Sequence, residues 1–118
     1  MKKDAKENII LRLTFEFSMQ IIEFAESLES NRKFVIANQI LKSGTSIGAN
    51  VREAQNAESK ADFIHKIKVA IKEAEETAYW LELCHFSQNY PDTEELQSKL
   101  NSIKLILAKI ITTSKNKQ

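Results

Sequence analysis

Two glycines and one proline stand in a chain of 118 residues. Folds built from many short strands use far more of both at their turns. The scarcity argues against a β-sandwich or barrel and excludes collagen-like and low-complexity classes. The one cysteine, Cys84, has no internal disulfide partner and leaves no thiolate cage for a metal. No apolar run approaches the roughly 18 residues of a membrane span. The first seven residues are charged and lead into no pure apolar stretch, so they do not read as a signal peptide. Charge of one sign is also lacking: 17 Lys and Arg oppose 16 Asp and Glu, for a net +1. These absences lead us to expect a soluble, cytoplasmic protein of one domain, residues 1–118, with no membrane role.

What is present is helical periodicity. Hydrophobic residues make up 42% of the chain, enough for a core. Over residues 7–29, Ile10, Phe17 and Phe24 recur at intervals of seven, with Ile21 and Leu28 among them. Leu13, Phe15, Met19, Ile22 and Ala25 widen this apolar face beyond what one packing partner needs. Residues 29–32 read as the first break. Residues 33–57 carry Ile36, Ile40, Ile47, Val51 and Ala54 at helical steps, and both glycines, Gly44 and Gly48, lie four apart inside this segment. A helical glycine costs about 1 kcal/mol against alanine. A chain break at residues 43–45 is one reading. The better one is a continuous helix whose glycines admit a neighbouring backbone.

Ser59 and Asp62 fit a capping box that opens a third helix, expected over residues 60–89. Its core stripe is Phe63, Ile67, Ala70, Ala74, Thr77, Leu81 and Cys84. Pro91 marks the next turn and Asp92 the expected N-cap of a fourth helix over residues 93–114, with Leu96, Leu100, Ile103, Leu107 and Ile110 inward. Lys109, Lys115 and Lys117 near its end suit the helix dipole. Four helices of roughly 22–30 residues, joined by short loops, predict an all-α, antiparallel up-down-up-down four-helix bundle.

Catalytic patterns are missing. A di-metal bundle needs Glu-x-x-His on two helices plus carboxylates on the others. Glu82–His85 supplies one such motif and Asp62–His65 a weaker one, both on the third helix. His65 and His85 are therefore expected at the edge or surface. Cys84 and His85 point about 100° apart on a helix, so Cys84 reads as an inert core thiol. No phosphate loop, dinucleotide fingerprint or zinc spacing occurs. The expectation is no enzyme, no catalytic or metal-binding residue, no cofactor and no small-molecule substrate.

Charge by segment runs −2, +2, −1 and +2 over residues 1–30, 31–58, 59–90 and 91–118. Lys42 and Arg52 are the candidate nucleic-acid contacts, a role that oligomerisation would strengthen by pooling charge. A solvated face is the alternative. Lys72 and Glu76 are spaced for an ion pair, while Tyr79 and Trp80 suit either a subunit interface or the core periphery.

The stretch Gln39–Ala54, with Ser43, Gly44, Ser46, Gly48, Asn50 and Glu53, resembles the signature of a family of small bacterial four-helix bundles. That family is named for proteins encoded in intervening sequences of 23S rRNA genes. A second block resembles it too: residues 59–63, then Lys72, Glu73 and Glu76, then Tyr79-Trp80-Leu81. Lys42 stands where arginine is common, and Arg52 where the position varies. The resemblance covers about residues 9–112. It implies the same bundle and a ring-shaped homo-oligomer, typically a pentamer. A similar fold serves as the accessory protein of diversity-generating retroelements, binding nucleic acid and the reverse transcriptase. Two functions follow as expectations: a non-enzymatic homo-oligomer associated with RNA or ribosomes, or a protein-interaction ring with no nucleic-acid role. The small polar strip is expected to pack closely on the first or third helix. Ser46 and Asn50 are expected to bond between helices, and Asn50 and Glu53 to meet Lys72, Glu73 or Glu76.

Overall fold

A computed structural model describes the backbone of residues 5–116 and the side chains from Ile9 to Asn116. The expectations placed on residues 1–4 and on Lys117 lie outside these residues. The described chain forms four helices: α1 (Ala5–Ser30), α2 (Phe34–Ala54), α3 (Lys60–Phe86) and α4 (Glu94–Asn116). Each packs on two neighbours, α1 on α2 and α4, and α3 on α2 and α4, while the diagonal backbones stay apart. Consecutive neighbours joined by three to seven residues must reverse direction. The result is a square antiparallel bundle 51 Å long and 20 Å across.

The inward stripes read from the sequence fill its axis. Ile10, Phe17, Ile21 and Leu28 of α1, Ile40, Ile47 and Val51 of α2, Ile67 and Leu81 of α3, and Leu100, Ile103 and Leu107 of α4 are all buried. Burying each such side chain contributes about 1.5–3 kcal/mol. Exposed ion pairs such as Lys99–Glu95 contribute about 0.2–1 kcal/mol, so apolar burial dominates the fold. Cys84 lies in this core, and burial pushes its thiol up to about 11. His65 and His85 are exposed.

The helix ends depart from the expected bounds for identifiable reasons. α2 stops at Ala54 rather than 57, because Gln55, Asn56 and Ala57 donate to carbonyls three residues back, a tighter turn than the α-helix. α3 stops at Phe86 rather than 89: Ser87 is extended and Asn89 takes a left-handed φ of 66° just before Pro91. The Ser59 hydroxyl accepts the Asp62 N–H as expected, but the Asp62 carboxylate takes the Glu58 N–H, one residue outside the box. Asp92 accepts the Glu94 N–H at 3.2 Å, while buried Thr93 stands directly before α4 and its carbonyl accepts the Gln97 N–H. α1 and α4 extend slightly past their expected bounds, starting at Ala5 and ending at Asn116 respectively.

The end of α1 is a Schellman turn made without glycine. Lys33 N–H donates to Leu28 O and Arg32 N–H to Glu29 O, with Arg32 at φ 63°. An L side chain at this left-handed position is strained. Arg32→Gly is expected to stabilise the fold by about 0.5–1 kcal/mol, an increase of a few degrees in melting temperature by circular dichroism.

Candidate functional site

The signature residues of α2 form a seam along the α1–α2 and α2–α3 contacts. Gly44 faces α1, and a Cβ there would come within 2.8 Å of Ile21 Cγ2. One turn later, a Cβ on Gly48 would lie 3.3 Å from the Thr14 carbonyl oxygen and 3.4 Å from Ser18 Oγ. The two glycines thus seat α1 close on α2. Thr14 turns its hydroxyl back to Ile10 O at 2.7 Å, which satisfies the one polar side chain buried at this approach.

On the α3 side, Ser43 and Thr77 are both fully buried, and their hydroxyls meet at 2.9 Å. Thr77 Oγ1 also lies 2.8 Å from Glu73 O. A hydroxyl has one proton. Thr77 can serve Glu73 O while Ser43 donates into the Thr77 oxygen, leaving neither group unsatisfied. At the far end of the seam, the Lys66 ammonium of α3 reaches the Glu53 carboxylate of α2 at 3.0 Å, and this bond raises the Lys66 pKa.

Several expected contacts are corrected. Ser46 donates to Lys42 O and Asn50 to Ser46 O, both within α2, because short polar side chains on a helix find the carbonyl one turn back before any neighbour. Glu53 meets Lys66 rather than Lys72, Glu73 or Glu76, since antiparallel α3 brings its early turns beside the end of α2. Glu76 accepts the Trp80 indole N–H at 3.1 Å in place of an ion pair with Lys72, which is exposed. Tyr79 and Trp80 divide the two readings offered for them. Trp80 is half-buried against the core, whereas Tyr79 is 54% exposed, with the two rings edge-to-face at 5.2 Å.

Lys42 and Arg52 do not come together. They are ten residues apart on α2, about 15 Å along its axis and about 80° around it. The Arg52 guanidinium instead lies 6.0 Å from the Phe15 ring centre.

Phe15 belongs to a groove that site-motif reasoning missed, though the wide apolar face of α1 signalled it. Leu11, Phe15 and Ile22 of α1 line one wall, and Thr45, Gly48 and Ala49 of α2 the other, around about 440 Å³. Phe15 is 54% exposed, and Met19, 53% exposed, lies on the α4 side of α1 with Glu16, Gln20, Glu23 and Lys99. Among the described residues no three His, Cys, Asp or Glu side chains converge as metal ligands, and no helix is long and apolar enough to cross a membrane.

Gly44→Ala is expected to lower stability by about 1 kcal/mol despite better helix propensity, because overpacking against branched Ile21 costs about 1–3 kcal/mol. Thr77→Val is expected to cost about 1 kcal/mol, and the Ser43→Ala/Thr77→Val double substitution less than the two singles combined, since no buried hydroxyl is then left alone. Chemical denaturation of the four proteins in that cycle measures the coupling.

A model of the 23S rRNA-intervening sequence protein family matches residues 6–112. No curated protein matches the chain. A crystal structure of a protein of unknown function from the S23 ribosomal protein family of Bacteroides thetaiotaomicron is 41% identical to the chain. It superposes with a TM-score of 0.87, covering 92% of this chain and 99% of that one. The matched span takes in the glycine seam, the Ser43–Thr77 contact and all four helices, and the chain belongs to the 23S rRNA-intervening sequence protein family.

Proposed function

We propose that the protein is a non-enzymatic helical bundle that works by self-association, with the α1–α2 groove as the contact between copies. One observation carries this reading. α1 has a complete buried stripe, yet Phe15, Met19 and Ile22 stand beside it at 54%, 53% and 42% exposure. A bundle helix that only closes its own core needs one apolar stripe. The second stripe here borders a groove that Gly48 and Ala49 line with small residues and that Arg52 and Glu53 edge with charge. Exposed large apolar residues gathered in one place mark contact surfaces. A protein-interaction ring fits this surface, and the family resemblance points to five copies.

Association with RNA through Lys42 and Arg52 has weaker support. The two cations stand on different faces of α2, and Arg52 leans over Phe15 at the groove, so a phosphate strip across both would have to be assembled from several subunits.

Light scattering on a size-exclusion column at about 0.5 M salt, where exposed charge pairs are largely screened, tests the self-association reading. The wild-type chain should elute well above 13.5 kDa, near five times that mass for a ring of five. Phe15→Lys/Ile22→Lys should elute at 13.5 kDa with an unchanged helical spectrum, as both residues line the groove and are already exposed. A wild-type monomer at this salt concentration would overturn the proposal.

A further inference from the structure

Charge is nearly balanced over the whole chain but sharply sorted along its two C-terminal helices. The first half of α3 carries Lys60, Lys66, Lys68 and Lys72 against one acid, Asp62, and its second half, from Glu73 to Phe86, carries four glutamates and no lysine or arginine. α4 has the opposite order in sequence: Glu94 and Glu95 open it against one lysine, Lys99, and from Lys104 onward it has three lysines and no acid. Because α3 and α4 are antiparallel neighbours, the two reversals reinforce each other. Both basic segments lie at one end of the bundle and both acidic segments at the other.

The reversals also fall at the same level. Lys68 and Glu82 are exposed on α3 and centred on residue 75. Glu94 and Lys115 are exposed on α4 and centred between residues 104 and 105. The ion pair between Glu75 and Lys104 ties these two midpoints together. A helix rises 1.5 Å per residue, so the charges stand about 10 Å to either side of this level on α3 and about 16 Å on α4. At the midpoint itself Leu105 is 73% exposed, with Tyr79 at 54% one turn beyond Glu75.

A surface with this pattern is complementary to itself. We propose that a second copy of the chain packs across the α3–α4 face, related by a two-fold axis that lies in the interface, perpendicular to the helices, at the level of Glu75 and Lys104. The axis reverses the partner end for end and sets α3 on α3 and α4 on α4. Lys68 of one protomer then faces the Glu82 position of the other, Lys115 faces Glu94, and the two Leu105 side chains meet on the axis. A contact of this kind uses the same patch twice. A polyanion such as RNA would meet attraction on one half of the face and repulsion of similar extent on the other. The sorted charges therefore favour a second copy over an extended nucleic acid.

This contact lies on the face opposite the α1–α2 groove, so it is tested separately. Light scattering at a fixed protein concentration, from about 0.05 M to about 0.5 M salt, shortens the screening length about threefold. The wild-type mass should fall at least twofold across this range, to the monomer or to whatever assembly the groove builds by itself. Lys68→Glu/Lys115→Glu turns all four paired positions acidic, and Glu82→Lys/Glu94→Lys turns them all basic. All four residues are exposed, so melting temperatures should stay near wild type. Each variant alone should hold the smaller mass at low salt, and an equimolar mixture of the two should restore the larger mass. A wild-type mass independent of salt, or an undiminished mass in either variant, would overturn the pairing. So would retention of a single-stranded homopolymeric RNA by the wild-type protein, lost in Lys68→Glu/Lys115→Glu with no change in mass, because it would assign the basic half to nucleic acid.

Discussion

The approach of α1 to α2 at Gly44 and Gly48 is the constraint on which the rest of the bundle depends. Ile21 occupies the space a Cβ on residue 44 would need, and the Thr14 backbone stands where one on residue 48 would crowd it. Two helical glycines together forgo about 2 kcal/mol of propensity. Tight apolar contact along the axis offsets that loss, since each large side chain buried there contributes a comparable amount. With α1 drawn in, the inner stripes of all four helices converge into one core, and the outer stripe of α1 remains at the surface beside the open glycine strip.

The same seam explains how a strip rich in serine, threonine and asparagine tolerates such a position. Thr14, Thr45, Ser46 and Asn50 each satisfy a polar group on a carbonyl of their own helix. Only Ser43 crosses to another helix, where Thr77 is small enough to meet it and polar enough to share a proton. The strip is thus small for the sake of its neighbours and polar without demanding anything from them. A larger apolar residue at these places would fill the groove from within, and a longer polar one would bring an unpaired group to the contact.

Outside the core, the four helices divide into two pairs with different surfaces. The α1–α2 side is apolar and indented, suited to contacts that survive salt. The α3–α4 side is charged, sorted by sign along 51 Å of length, and suited to contacts that salt weakens. Near-zero net charge is therefore a poor description of this protein. It results from cancellation between separate regions, and the separation is what a neighbouring molecule would meet.

The inward stripes, the continuity of α2 through its glycines and the cap at Ser59 were legible in the sequence, because helical periodicity and local capping depend only on residues within a few turns. Helix ends were legible only approximately: Arg32 takes a left-handed backbone that its residue type does not announce, and Asn89 one that asparagine favours without requiring. The partners of the small polar residues were not legible at all. Density of polar side chains in two blocks suggested bonds between them, but a carbonyl one turn back is always nearer than a neighbouring helix. By itself the sequence determined four amphipathic helices and the family to which they belong, since both reside in local pattern. Which glycine faces which side chain, that Glu53 finds Lys66, and that the charge reversals of α3 and α4 fall at one level were decided by tertiary structure alone. Those facts depend on the rotation and stagger of one helix against another, which no local pattern specifies.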